Sequence, residues 1–353
     1  MSLGLPGLHH LPDKLHQAAQ HNYQGIELFF SDLEHLATTS FSGDLVAAAH
    51  SVHRLCHSLN LSIICLQPFL FYEGLLDRTE HSRLLSQKLP QWFQLAHILH
   101  TDLIQIPSNF LPVDPGTGHP RTTGDRSLIV SDLQRIADLG LQQSPPIRFV
   151  YEALAWANHI DTWEECYAVV LAVDRPNFGI CLDSFNLAAR VYADPTTVSG
   201  KTPDADAALS ASLARLRKTV DPKRVFYVQI VDGERLQAPL TEDHPFHVPC
   251  QPARMSWSRN ARLFAFEEDR GGYLPVVEVA RSFFDIGFDG WVSLELFSRT
   301  LADPDKDTPR VHARRGYESW RKLVAALDLN TSEKLVSVPE LESKSALSVQ
   351  HRL

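Results

Sequence analysis

Residues 148–183 read RFVYEALAWANHIDTWEECYAVVLAVDRPNFGICLD. Arg148-Phe149-Val150-Tyr151 is a β-type run that ends at Glu152. Trp163 to Val173 carries a helical pattern, with Asp161 or Thr162 before it as N-cap. Phe178-Gly179-Ile180-Cys181-Leu182 is a second β-type run and ends at Asp183. Strand, helix and strand in direct succession predict parallel strands covered by helices.

The alternation extends in both directions. Upstream, 25–29, 61–66 and 103–106 read as strands, the last closed by Pro107. Between them, Ala48, Ala49, Val52, Leu55, Cys56 and Leu59 share one helical face that stops at Asn60. A helical stretch around Trp92 and Leu99 has Pro90 near its start or at a kink, and 128–139 is helical with Gly140 as C-terminal cap. Downstream, a helix runs from about Pro203 to Thr219, with Thr202 as N-cap and Pro203 as first helical residue. The run 225–228 is a strand ending at Gln229, Pro275 opens a helix that closes at Gly287, and 291–294 is a strand ending at Glu295. A last amphipathic helix carries Val311, Tyr317, Trp320, Leu323, Val324 and Leu327.

Seven such units predict a single α/β domain over 1–329, a (β/α)8 TIM barrel. The rival, a doubly wound open sheet, lacks a GxGxxG after any early strand. From 330 to 353 the chain is polar without a sustained period and is expected to be a disordered tail. The countable strands are one short of eight. Met1-Ser2-Leu3-Gly4 is too brief to be the first, so that strand is expected to be truncated, leaving a less stable barrel with one unpaired seam.

Composition narrows the function. Of 353 residues, 44% are hydrophobic and 21% charged, an ordinary globular balance. Lys+Arg 33 against Asp+Glu 42 gives a net charge of −9, which argues against nucleic acid as a partner, because counterion release needs clustered Lys and Arg. No apolar run reaches the roughly 18 residues that suggest a membrane span. Residues 1–11 do not read as a secretory leader, and five scattered cysteines without a CxxC pair read as small buried residues of a reduced compartment. The cytosol is the expected location.

The chemistry lies where strands end. Glu152, Asp183, Gln229 and Glu295 follow four successive apolar runs. In a barrel these ends converge on the active face. Three carboxylates at close quarters repel unless a cation neutralises them. Oxygen-only ligands suit a divalent metal cation such as Mg²⁺, Mn²⁺ or Co²⁺. A strand-end carboxylate can instead cap the next helix, and Gln229 also reads as an amide in a hydrogen-bond network. Glu27, Gln67 and Gln105 lie at or near strand ends too, as pocket lining or as partners for backbone groups.

The gap between Gln229 and Glu295 holds Arg254, Arg259 and Arg262 around Trp257. Long βα loops carry specificity, and arginine binds a carboxylate through paired N–H donors. The plainer alternative is a solvated loop with incidental ion pairs. His244-x-x-His247 with Cys250 three further on imitates a zinc spacing but has no fourth ligand in register.

Tyr151-Glu152-Ala153-Leu154-Ala155-Trp156, Leu182-Asp183-Ser184-Phe185, Val228-Gln229 and Ser293-Leu294-Glu295-Leu296 stand at successive strand ends. With Leu66-Gln67-Pro68-Phe69 and Trp257-Ser258-Arg259-x-x-Arg262, they resemble the 3-dehydroshikimate dehydratases, most closely those of fungal quinate catabolism, within the xylose-isomerase-like barrels. The resemblance covers roughly 25–327. It implies a metal-dependent hydro-lyase that converts 3-dehydroshikimate to protocatechuate and water, with Glu152, Asp183, Gln229 and Glu295 as metal ligands. Ser258 and Arg262 match positions that contact substrate in the bacterial enzymes. Expected catalytic residues are Arg262, Ser258, Asn186 and Glu27; expected substrate contacts are Gln67, Phe69, Gln105 and Arg259.

Two departures bear on the general base. Bacterial relatives carry a histidine where this chain has Asn186, and some carry a basic residue where it has Leu70. Asn186 cannot take a proton, though it can orient a neighbour. The candidates are a hydroxide at the metal or one of the carboxylates, Glu27 included. Two rival readings stand beside the dehydratase. A sugar isomerase or epimerase on the same barrel would anchor a neutral substrate with His, Asp and aromatic contacts. A barrel without catalysis would only bind a metabolite or partner. A homo-oligomer is left open.

Overall fold

The computed structural model describes residues 2–331, so the expected tail lies outside the described residues from 332 onward. The strands are β1 (Gly25–Phe29), β2 (Ser62–Gln67), β3 (Leu103–Pro107), β4 (Arg148–Glu152), β5 (Phe178–Asp183), β6 (Val225–Gln229), β7 (Asp232–Gly233), β8 (Arg262–Leu263) and β9 (Val292–Ser293). The helices α1 to α6 are Leu11–Gln20, Phe30–Ser40, Leu45–Ser58, Arg78–Arg83, Leu89–Leu99 and Arg126–Leu141. The helices α7 to α12 are Trp163–Val173, Ser184–Val191, Ala205–Thr219, Ala253–Ala261, Val276–Asp285 and Thr308–Leu327.

Among the described residues, seven strands form one parallel sheet in the order β1-β2-β3-β4-β5-β6-β9, and β7 pairs with β8 antiparallel. The expected TIM-type architecture is therefore present. Strand alternation explains what fills it. Side chains two apart along a strand share a face. Cys65, Leu103, Val150, Cys181 and Tyr227 form a separate apolar cluster. Two residues further along the same five strands stand Gln67, Gln105, Glu152, Asp183 and Gln229. A polar layer thus rests on an apolar plug at the strands' C-terminal ends. The intervening residues, among them Ile104, Ile106, Phe149, Tyr151, Ile180 and Leu182, join the larger core.

Registers step that layer around the sheet: Gln105 pairs with Val150 and Glu152 with Cys181, each two residues short of its polar neighbour, while Asp183 pairs directly with Gln229. Helix starts follow local chemistry. Asp44, Asp77, Asp125 and Thr162 each accept a backbone N–H at the N-cap of their helix. Asp183 caps α8, accepting from the N–H groups of Phe185 and Asn186.

Several sequence expectations need correction. Gly140 does not cap α6, which runs on to Leu141 with Gln142 after it. Its lack of a side chain serves close packing, since a Cβ there would lie 2.5 Å from the Ile147 carbonyl oxygen. Thr202 does not cap α9. Its hydroxyl donates to the Val191 carbonyl at 2.8 Å, and the helix starts at Ala205 after Asp204 in a left-handed conformation. Pro90 lies in the first turn of α5, which continues from α4 through a π-helical segment, Leu84–Lys88. Cys56, Cys65, Cys166 and Cys181 are buried and free, as expected; Cys250 is free but exposed. No helix among the described residues is long and apolar enough to cross a membrane.

The sheet has two edges. β1 pairs with β2 and β9 pairs with β6, the latter over two residues where four were expected. A cleft with about 1050 Å³ of empty volume is lined by both edges, including Ile26, Leu28, Val292 and Leu294. Ser2 and Leu5 tie the chain's start to the β9 side: Ser2 Oγ accepts from the Leu296 N–H at 2.9 Å, and the Leu5 N–H donates to the Leu301 carbonyl at 3.3 Å. The seam of the sheet lies between these two edges.

Candidate active site

Glu152 and Asp183 are the last residues of β4 and β5, and Glu295 follows β9. All three are buried, and each offers an oxygen within 4.8 Å of the others. Burial and the neighbouring carboxylates Glu295 and Asp183 hold the Glu152 carboxyl well above its ordinary range. Burial pushes Glu295 up to about 7, although the Arg262 guanidinium pulls the other way. Such a cluster gains from positive charge.

Arg262 supplies one. It is fully buried at the start of β8, and its Nη1 donates to Asp183 Oδ2 at 3.0 Å and Glu295 Oε2 at 3.1 Å. Its Nε donates to Ser258 Oγ at 3.0 Å, and the guanidinium stacks over Phe185 with its carbon 4.4 Å from the ring centre. Burial opposes its charge, and the facing carboxylates outweigh that effect. Ser258 thus reaches the cluster through Arg262.

Amides hold the carboxylates in place. Asn186 Nδ2 donates to Glu152 Oε1 at 2.9 Å and Asp183 Oδ2 at 2.8 Å, while its Oδ1 accepts from the Ala155 N–H. The α8 start makes this possible, because Asn186 lies three residues past the cap and returns to the cap's second oxygen, the one Arg262 also reaches. Gln105 Nε2 donates to Glu152 Oε2. Gln67 Nε2 donates to Glu295 Oε1 at 3.0 Å and to Glu27 Oε2 at 2.8 Å. Gln229 Nε2 donates to both oxygens of Glu27, at 3.2 and 3.0 Å. Its Oε1 is buried and has no hydrogen-bond partner among the described residues.

That orphaned oxygen is the test of fit for a metal. A buried acceptor without a donor costs free energy unless something satisfies it. The three carboxylates offer oxygens within 4.8 Å of one another, a donor set suited to a hard or borderline divalent cation, to which the Gln229 amide oxygen would add a fourth. The buried acidic triad can hold such an ion.

Of the four expected substrate contacts, Gln67 lines the cleft between the sheet's edges, and Phe69 and Arg259 lie away from the buried cluster. Gln67 and Gln105 are buried and spend their amides on carboxylates of the chain. Phe69 is fully buried against Tyr72 and Trp92, an aromatic core position and not pocket lining. Arg259 is exposed on α10 and donates to Gln251, outside the buried cluster. Arg254 is tied to the carbonyls of Ala189 and Ala193, which staples α10 to α8. The three-arginine loop therefore delivers one arginine to the site. Tyr227 was missed: its hydroxyl donates to Glu27 Oε2 at 2.7 Å. The signal was available, since Tyr227 precedes Gln229 by two and so faces the same way.

Comparisons with known proteins bear on the family and the fold. The sequence profile described as xylose isomerase-like TIM barrel matches residues 15–323. A curated relative from Neurospora crassa, named 3-dehydroshikimate dehydratase, is 50% identical over 346 residues, covering 95% of this chain and 94% of that protein. A relative of the same name from Pseudomonas aeruginosa is 28% identical over 82% of this chain, which spans only 36% of that longer protein. Among solved structures, a xylose isomerase-like TIM barrel/4-hydroxyphenylpyruvate dioxygenase fusion protein superposes with TM-score 0.68 at 26% identity, over 92% of this chain and 42% of that one. The IOLI protein with a bound zinc atom gives TM-score 0.65 at 16% identity, over 94% and 98%, a likeness of fold. The chain belongs to the xylose isomerase-like TIM barrel family.

Proposed function

We propose that this chain is a metal-dependent 3-dehydroshikimate dehydratase, a hydro-lyase that forms protocatechuate and water. The observation that carries this reading is the 50% identity to the Neurospora enzyme across nearly the whole of both chains. The buried triad and the unpartnered oxygen of Gln229 support it chemically. Glu152, Asp183, Gln229 and Glu295 would hold the ion. An ion such as Mg²⁺, Mn²⁺ or Co²⁺ held there would supply Lewis acidity suited to polarising a ketone and acidifying the adjacent C–H.

The chain's own residues do the rest. Arg262, oriented by Ser258, provides the positive charge suited to the ring carboxylate. The proton beside the ketone passes to a base at the site. Its electron pair forms the new C=C bond, and the hydroxyl one carbon further leaves with a proton as water. Tautomerisation then makes the ring aromatic, so the reaction runs downhill once the first proton moves. Asn186 takes no proton; it holds Glu152 and Asp183 in register. Glu27 is engaged by Tyr227, Gln67 and Gln229 and is poorly placed to act as the base. The buried free cysteines suit a reducing cytosol.

The test is ultraviolet absorbance of purified chain with 3-dehydroshikimate, before and after chelation and with each cation restored. Aromatic product that disappears on chelation is expected. Glu295→Gln should weaken cation binding and turnover together, by at least the ~10–100-fold typical of losing a supporting contact. Absence of product under every cation, with the Neurospora enzyme active alongside, sinks the reading.

A further inference from the structure

An amide ligand has an ambiguity that a carboxylate lacks. Its two ends are nearly equal in shape, but only the oxygen binds a cation; the NH₂ end repels it. Something must decide which end of Gln229 faces the carboxylates. In this fold Glu27 engages the NH₂ end of that amide. Gln229 Nε2 donates to both oxygens of Glu27, which leaves Oε1 as the buried atom without a partner.

Glu27 is itself fixed. Tyr227 Oη donates to its Oε2 at 2.7 Å and Gln67 Nε2 donates to the same oxygen at 2.8 Å. The strand backing it is irregular at that residue. Ile26 pairs with Ile63, but Glu27 pairs with Cys65, so one residue of β2 is skipped. Such bulges re-aim a side chain beside active sites. Gln67 also reaches Glu295, so Glu27, Gln67 and Glu295 form a chain that links the seam-side strands β1 and β2 to the triad.

We propose that Glu27 is a positioning residue whose carboxylate selects the oxygen end of Gln229 for the metal centre, with Tyr227 and Gln67 holding Glu27 in place. This rests on the metal centre of the proposed function, not on the identity of its substrate. An acceptor-only group is required at position 27. A second amide there can present its own NH₂ to Gln229 and permit the wrong orientation.

The experiment is calorimetric titration of Mn²⁺ into metal-stripped full-length chain carrying Glu27→Gln, Gln229→Ala or both, with Glu27→Asp as a second variant that keeps the charge but withdraws the acceptor. Far-ultraviolet circular dichroism establishes that each variant is folded. Outer partners of metal ligands typically affect affinity by 10–100-fold, so Glu27→Gln and Glu27→Asp should each weaken Mn²⁺ by about that factor. In the Gln229→Ala background the same changes should cost less than about twofold, because nothing remains to orient. A general effect of lost charge or packing would persist in that background. The proposal is overturned if Glu27→Gln binds Mn²⁺ as tightly as the unaltered chain, or if its effect is as large without Gln229 as with it. Because the readout is binding, failure of the dehydration assay alone leaves it standing.

Discussion

Glu73 shows how a carboxyl outside the site sets a pH dependence. It is buried behind β4, where Oε1 accepts from the Asn109 N–H at 2.6 Å and Tyr151 Oη at 3.0 Å, while Oε2 is buried without a partner. Burial pushes its pKa from 4.5 up to about 7. The folded state therefore holds the proton more tightly than the unfolded chain. That contribution is fully present below the unfolded pKa and is lost as pH rises from about 4.5 to 7. Urea denaturation should show stability falling from pH 5 to pH 8. Glu73→Gln should flatten the fall and raise stability at pH 8 by no more than about 3 kcal/mol. Asp232, also pushed up to about 7 by burial, keeps part of the slope in that variant. An identical pH profile for both proteins would refute this reading of Glu73. Glu73 itself gave no sequence signal, since it lies in a loop whose burial depends on residues far along the chain. Glu152 and Asp183 were legible because each ends an apolar run whose direction is fixed by alternation. The role of Asn186 was only half legible: the missing histidine could be read, but not the two carboxylates its amide would reach.

The helices read from the sequence follow their apolar faces but fit less well at their ends, while Phe30–Ser40 and Ser184–Val191 were not read, and Ala253–Ala261 is a helix where a loop was expected. Local rules place caps, while tertiary contacts decide whether they are used. Thr162 and Asp183 follow the rule. Thr202 does not, because its hydroxyl finds the carbonyl at the end of α8. Gly140 makes the conflict measurable. In a free helix, Gly→Ala gains about 1 kcal/mol of propensity. Here the added methyl would lie 2.5 Å from the Ile147 carbonyl oxygen and 2.7 Å from the Phe149 ring. Overpacking of that kind costs about 1–3 kcal/mol, so the clash should win. Gly140→Ala should lower the thermal midpoint, with helicity below the transition unchanged. A raised midpoint would mean that α6 is free to shift outward.

Strand order around the barrel follows directly from the alternation of apolar runs, and the polar layer follows from period two. Closure does not follow, because it depends on which backbone edges meet. β4 and β5 have a neighbour on each side, whereas β1 and β9 are the two edges of the sheet. Amides on an edge open without breaking a second ladder, so protection should be graded across the fold. Deuterium uptake should be fast in peptides covering Gly25–Phe29 and Val292–Ser293 and slow in those covering Arg148–Glu152 and Phe178–Asp183. The metal centre sharpens the expectation. Three of its proposed ligands end β4, β5 and β6, and the fourth, Glu295, lies just past the β9 edge. A cation binding only the folded chain adds about 2.7 kcal/mol at a hundredfold excess over Kd. Much of that gain should appear where the ligand shell crosses from the secure strands to the loose one. Mn²⁺ should therefore slow exchange around β9 more than around β1, whose link to the ion runs only through Glu27 and the amides. Uniform protection without metal, or equal slowing at both edges with it, would contradict this account of the seam.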